Sequence, residues 1–257
     1  LIQGADVVVE SFRPGVANRL GIGFDDAARL RPDLVYCSIS GYGQDGPASA
    51  RPGHDLNYLG VAGYLGLSGH NRSDAPPLPG ATIADAAGGF CAAIAVLAAL
   101  HDRSRSNQAK YLDLSITDAA LRFTQMWVDQ ELSGAGVVPS EEMLLGGRAC
   151  YAIYETGDGK WMTVGAVEAR FWRAFCEGIG LGHLVDRQHL VEAQGEIRKE
   201  VQEVLRTKPR DEWLTLLGES TAVGPVNSIS ELLADPILNT SDLVWTVPSD
   251  HGGTVRQ

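Results

Sequence analysis

Apolar positions at the start of the chain follow two alternating patterns. Short apolar runs cover 7–9 and 34–39, and a run of this length is typical of a strand buried on both faces. Helical spacing lies between them, over 16–20 and 25–30, after a break at Arg13-Pro14-Gly15. A strand, helices and a second strand at this spacing predict a βαβ unit with parallel strands.

A glycine-rich loop follows the second predicted strand. It covers 41–47 and contains Gly41 and Gly43. Ligands of open parallel sheets bind at the carboxyl ends of the strands, so we expect this loop to border a site. Beyond it the pattern predicts a long helix from Asp85 to Leu100, a strand over 110–114, and a helix over 115–132 with a capping box at its start.

The pattern changes after Gly147. Two apolar runs around a Gly157-Asp158-Gly159 turn predict a β-hairpin, and helical periodicity follows it as far as a capping box that begins at Ser228. The apolar face of one such helix contains Ile197, Val201, Val204 and Leu205. We therefore predict a first α/β domain over 1–146 and a smaller α+β domain over 147–236.

Composition narrows the range of partners. The chain has 32 acidic and 21 basic side chains, a net charge of −11, which argues against nucleic acid and anionic membrane as general partners. The longest uninterrupted apolar stretch, 90–100, is too short to cross a bilayer. Four separated cysteines without a CxxC pair indicate reduced thiols, predict a cytoplasmic protein and argue against a zinc site.

Two isolated polar residues are candidates for catalysis. Asp85 begins the predicted long helix, where an aspartate either caps the helix or acts as base or nucleophile, and Gly88-Gly89 would allow close approach of a ligand. His54 is either a structural histidine or a proton carrier, because imidazole exchanges protons near neutral pH.

Three further charged residues have two interpretations each. Glu168 directly follows the second hairpin strand and either favours a helix start or orients a histidine. Arg13 and Arg19 follow the first strand and either contact a phosphate or thioester or are solvated at the surface. Spacing alone therefore indicates an α/β enzyme of unknown chemistry.

Several segments resemble hallmarks of the family III CoA-transferases, the CaiB–BaiF family. They cover nearly the whole chain in the family's order: 5–15 (ADVVVESFRPG), 38–47 (SISGYGQDGP), 83–89 around Asp85, 113–121, 225–226 and 234–236. Within that family, 53–58 (GHDLNY) and 164–168 resemble the α-methylacyl-CoA racemase branch, since the transferase branch usually has another residue at the position of His54.

The resemblance implies a fold and a site. The fold would be a Rossmann-like parallel-sheet large domain plus a smaller α+β domain, with two subunits forming an interlocked homodimer and 237–257 beginning a return to the large domain. His54 and Asp85 would be the catalytic bases, and Glu168 would orient His54. CoA, present only as part of the substrate, would lie against the large domain near Arg13, Arg19, Gly41 and Gly43, with no permanently bound cofactor.

Three functions stay open at this point. The first is racemisation at the α-carbon of 2-methylacyl-CoA thioesters by two-base proton transfer, with backbone amides at the start of the Asp85 helix stabilising the enolate. The second is CoA transfer to a carboxylic acid acceptor with Asp85 as nucleophile. The third is an inactive fragment, because the chain begins and ends inside the family's pattern.

Overall fold

The chain forms two compact units, Leu1–Ser140 and Glu141–Gln257. The computed structural model describes residues 1–68, 75–236, 246–248 and 254–256. The division lies a few residues before the predicted one at 146/147. Most of the predicted return segment, 237–257, lies outside the described residues; within it, β7 (Thr246–Pro248) and β8 (Thr254–Arg256) pair antiparallel.

The first unit is built on a parallel sheet. Its strands lie in the order β1-β2-β3, with Val9 opposite Cys37 and Cys37 opposite Leu112, which confirms the predicted βαβ unit and the third strand. The elements are β1 (Val7–Glu10), α1 (Val16–Arg19), α2 (Phe24–Leu30), β2 (Val35–Ser40), α3 (Asp55–Val61), α4 (Tyr64–Leu67), α5 (Ile83–Ser106), β3 (Lys110–Ser115) and α6 (Ile116–Leu132). The predicted cap of α6 is present, since Ser115 Oγ accepts the N–H of Asp118 at 3.1 Å.

The prediction that β1 is buried on both faces was wrong. Val9 is 57% exposed, whereas Val35, Tyr36 and Cys37 of β2 are almost fully buried. The reason is position in the sheet: in the described part of the chain β1 pairs with β2 alone, while β2 is covered on both edges. An apolar run predicts a strand but carries no information about its neighbours.

Helix α5 is longer than predicted at both ends. It begins at Ile83 rather than Asp85, and it continues past Leu100 to Ser106. Its C-terminal part is held by Arg103, whose guanidinium donates to Asp6 Oδ1 at 3.1 Å. By length and composition alone, the 21 residues Ile83–Arg103 are long and apolar enough to span a membrane. The uninterrupted apolar stretch 90–100 is only part of this helix, so its length understated the apolar length of α5.

The second unit packs helices on a small antiparallel sheet. The predicted hairpin is confirmed as β4 and β5, and a third strand, β6, adds to β5. The elements are β4 (Tyr151–Glu155), β5 (Trp161–Gly165), α7 (Ala169–Gly178), α8 (Gln194–Leu205), α9 (Arg210–Leu217), β6 (Val223–Pro225) and α10 (Ile229–Ala234). Ile197, Val201 and Leu205 are fully buried, which confirms the predicted apolar face of α8.

Candidate active site

A cavity opens at the carboxyl edge of the parallel sheet. Its volume is about 470 Å³, and it is lined by the segments that follow β1 and β2 and by the start of α3. The lining residues are Ser11, Phe12, Arg13, Pro14, Ser40, Gly41, Ser49, Arg51, Pro52, Gly53, His54, Asn57 and Tyr58. The cavity therefore brings together three predicted site residues, Arg13, Gly41 and His54, at the edge where the topology predicted a site.

The charge of this cavity is opposite to that of the whole chain. Arg13 and Arg51 line it, and no carboxylate is among the described residues of its wall. The chain as a whole carries a net charge of −11. Basic groups concentrated in one concave surface of an acidic protein attract anionic ligands to that surface.

The shape of the cavity depends on the ring of Tyr58. The Tyr58 hydroxyl donates to the Gly53 carbonyl at 2.6 Å, and its ring meets Tyr42 edge-on at 5.2 Å between centroids. A Cβ at Gly41 would lie 2.5 Å from the ring, and one at Gly53 would lie 2.7 Å from it. Both glycines are therefore required by the close approach of one buried aromatic ring.

We expect Gly41→Ala to lower the free energy of unfolding by about 1–3 kcal/mol, because the anchored Tyr58 ring must move to admit the methyl group. Gly89→Ala is the control, because, apart from its chain neighbours and the helix's own backbone, no atom of the described residues lies within 4 Å of a Cβ at this position inside α5. It should stabilise the chain by about 0.5–1 kcal/mol through helix propensity. Urea denaturation measures both. Equal stability of Gly41→Ala and wild type would contradict the packing described for Tyr58.

His54 is held at the start of α3 by its main chain. It is the N-cap residue; its N–H donates to Asn57 Oδ1 at 3.0 Å, and its carbonyl accepts the Asn57 N–H at 2.8 Å. The side chain is exposed to solvent and lines the cavity. A fixed backbone with an accessible imidazole is the arrangement that a proton carrier needs.

Asp85 lies in the first turn of α5, which corrects its interpretation as an N-cap. Thr82 is the N-cap residue, and the N–H of Asp85 donates to Asp55 Oδ1 at 3.0 Å. Solvent reaches Asp85, yet surrounding protein atoms raise the pKa of its carboxyl; the negative charge of Asp55 raises this pKa further and His54 lowers it. Since Asp55 adjoins His54 in the chain and accepts the N–H of Asp85, His54 and Asp85 lie at the joined starts of α3 and α5.

The backbone amides expected to stabilise an enolate are already largely bonded. Besides the N–H of Asp85, the N–H of Ile83 donates to Ala81 and that of Ala86 donates to Thr82, both at 3.1 Å. These three N–H groups of the first turn, which have no acceptor within the helix itself, are therefore satisfied by other acceptors. Stabilisation of the enolate by the start of α5 stays a prediction.

The other predicted site residues are not among the described residues that line the cavity; they are Asp85, Gly43, Arg19 and Glu168. Gly43 is buried with φ of +86°, which favours glycine, and the next N–H, of Gln44, donates to Asp113 Oδ2 at 3.0 Å. Arg19 ends α1, is exposed and is not among the described residues that line the cavity. Glu168 is the exposed N-cap residue of α7 in the second unit, so its role towards His54 stays a prediction.

Three residues of the site were missed by sequence reasoning. Arg51 and Ser40 line the cavity, and Asp55 joins α3 to α5. Ser40 is 7% exposed, and its buried Oγ has no hydrogen-bond partner within the described residues. Asp55 lies beside His54 in the chain, and this adjacency was the one local signal for it.

Comparison with known proteins identifies the family. The model of CoA-transferase family III matches residues 1–257. The chain belongs to this family. Its α/β fold with a parallel sheet agrees with a solved CaiB/BaiF family protein from Brucella suis, which superposes with a TM-score of 0.83 at 23% identity and covers 98% of this chain and 68% of that one.

The family's curated members include more than one activity. The α-methylacyl-CoA racemase of Homo sapiens is 33% identical over 237 residues, which cover 91% of this chain and 62% of the human protein. The succinyl-CoA:glutarate CoA-transferase of Homo sapiens is 28% identical over 257 residues, covering 97% and 58%. The chain spans less than two thirds of either relative. Both relatives are enzymes named for CoA thioesters.

Proposed function

We propose that this chain racemises acyl-CoA thioesters at the α-carbon, with 2-methylacyl-CoA as the substrate class. The observation that carries the proposal is a bond between two helices: Asp55, the residue after His54, accepts the N–H of Asp85 at 3.0 Å. This bond joins the starts of α3 and α5, which carry two proton carriers of different chemistry. A transferase needs one carboxylate nucleophile, whereas inversion needs a second proton carrier on the opposite face of the α-carbon.

The proposed reaction moves one proton off the α-carbon and one proton onto it. The Asp85 carboxylate removes the α-proton from one hand of the substrate, and the electron pair moves into the thioester to give an enolate. Protonated His54 then donates to the opposite face, which leaves neutral His54 and protonated Asp85. For the other enantiomer the roles are exchanged: neutral His54 removes the α-proton, and protonated Asp85 donates a proton to the opposite face. A raised pKa of Asp85 suits this reversible role, because the residue must release a proton as well as accept one.

The cavity supports a CoA thioester as the ligand. Arg13 and Arg51 supply positive charge for phosphate groups. The buried Ser40 hydroxyl, which has no hydrogen-bond partner in the described part of the chain, supplies a donor for a polar group of the ligand. In this proposal Gly41, Gly43 and Arg19 lie near the bound CoA, and Glu168 orients His54. The proposal also includes a cytoplasmic location.

A second function, transfer of CoA to a carboxylic acid acceptor, is favoured by the similarity to the human CoA-transferase. In this reaction Asp85 would attack the thioester carbonyl, release CoA as thiolate and form a mixed anhydride, and His54 would carry no proton.

Incubation with one enantiomer of 2-methylacyl-CoA and a carboxylic acid separates the two functions. We expect chiral analysis to show that the 2-methylacyl-CoA loses its configuration at a rate that does not depend on the acid. Formation of a new acyl-CoA from the added acid, while the 2-methylacyl group keeps its configuration, would establish transfer instead.

We also propose that the chain forms a homodimer through α5. Phe90, Ile94 and Leu97 are 71%, 67% and 66% exposed, and their spacing places them on one face of the helix. Water contact with three large apolar side chains disfavours the isolated chain. Sedimentation velocity should give a dimer for the wild type and a monomer for Ile94→Glu, with Glu131→Lys on α6 as a charged-surface control. A monomeric wild type would contradict the proposal.

A further inference from the structure

The first turn of α5 is capped by another helix. Thr82, the N-cap residue, makes no side-chain capping bond. Instead the N–H of Asp85 donates to Oδ1 of Asp55, 30 positions earlier in the chain, at 3.0 Å. Asp55 is the first residue of α3. One carboxylate therefore joins the first turns of two helices.

These two turns carry the two candidate bases. Asp55 follows His54 directly in the chain and is bonded to the main chain of Asp85, so a displacement of either turn is transmitted to the other. We propose that Asp55 is a positioning residue that holds His54 and Asp85 in a fixed spacing across the substrate; this inference rests on the function proposed above. Two bases acting on opposite faces of one carbon need such a spacing, because small misplacements of reacting groups are costly.

The charge of Asp55 gives it a second effect on Asp85. Burial raises the pKa of Asp85 first, the negative charge of Asp55 raises it further, and His54 opposes both. The second titratable group of α3 near Asp85 is Tyr58. Its pKa is raised by burial, then by Tyr42 and then by Asp85. Helix α6 meets this part of α5 with the apolar Ile116, which lies 3.1 Å from a Cβ built on Gly88.

Two substitutions separate the two effects of Asp55. Asp55→Asn keeps an oxygen for the Asp85 N–H and removes the charge, whereas Asp55→Ala removes both. In Asp55→Asn the midpoint of Asp85 titration, followed by carbon-13 NMR of its carboxyl, should move to lower pH, and the acid limb of kcat against pH should move the same way. In Asp55→Ala kcat should fall by about 10²-fold, the cost expected of a misplaced base, with a smaller change in KM.

Asp118→Asn is the matched control. Asp118, like Asp55, lies in the first turn of a helix of this unit, but it is exposed and its N–H donates to the side chain of Ser115, the N-cap residue of the same helix. It should move neither the Asp85 midpoint nor kcat. An unchanged Asp85 midpoint in Asp55→Asn, or wild-type kcat in Asp55→Ala, would overturn the proposed role of Asp55.

The NMR titration needs no turnover, so it separates this inference from the proposed function. A wild type that neither racemises nor transfers, together with a lowered Asp85 midpoint in Asp55→Asn, would overturn the proposed function and support the link between Asp55 and Asp85. Should Asp55→Ala fail to fold, Asp55→Ser takes its place, because its uncharged side chain is one atom shorter than that of aspartate. Here too kcat should fall, and wild-type kcat would overturn the positioning role.

Discussion

Asp85→Asn is expected to lower the rate of racemisation by about 10²–10⁴-fold, the range of a general acid–base group. The amide is nearly isosteric with the carboxylate but takes up no proton at neutral pH. The main-chain bond from Asp85 to Asp55 does not involve the substituted group, so the start of α5 should keep its structure. Chiral analysis of the acyl-CoA product measures the effect, and it should fall mainly on kcat.

The control for this substitution lies at the other end of the same helix. Asp102 pairs with Lys110 at 2.8 Å, and Asp102→Asn should leave racemisation unchanged. Because Asp85 is also the nucleophile of the alternative function, Asp85→Asn should abolish CoA transfer as well. Wild-type activity in Asp85→Asn would remove Asp85 from both mechanisms.

His54→Gln is expected to separate the two functions. Racemisation should fall by about 10²–10⁴-fold, because glutamine carries no proton between solvent and the α-carbon. Any CoA transfer should persist, since that reaction assigns no proton to His54. The two rates are measured in one incubation with a carboxylic acid present. His183→Gln is the control, as His183 lies exposed in the second unit beside Glu200.

Undiminished racemisation in His54→Gln would contradict the two-base account. The charge of His54 also acts on Asp85, where it opposes the rise in pKa. Replacing His54 by the uncharged glutamine should therefore raise the Asp85 titration midpoint. A raised midpoint together with lost racemisation would link the two residues in one site.

Local pattern predicted the elements whose identity depends on their own residues. Strands β2 and β3 followed from apolar runs, and the caps at Ser115 and Ser228 followed from residues three positions apart. The family resemblance supplied His54 and Asp85, and in the structure the residue after His54, Asp55, accepts the N–H of Asp85. Both the fold class and the placement of Gly41 beside the cavity were predictable in this way.

Features set by distant neighbours could not be predicted. The edge position of β1 depends on what pairs beside it, and periodicity within one strand does not encode that. Asp55 was visible beside His54, but its bond to Asp85 joins positions 30 residues apart. The last turns of helix α5 are charged, and there Arg103 forms an ion pair with Asp6, which is distant in the chain. The apolar pattern stops before these turns, so the helix predicted from it ended too early.

Hydrogen exchange at the α-carbon tests the two-base account most directly. The wild-type chain is incubated in heavy water with one enantiomer of 2-methylacyl-CoA and stopped early, and mass spectrometry follows each enantiomer separately. We expect every inverted molecule to carry one α-deuterium while the remaining substrate stays protonated, because one base removes hydrogen and the other delivers solvent-derived hydrogen. Inversion without deuterium, or CoA transfer without α-exchange, would contradict the account.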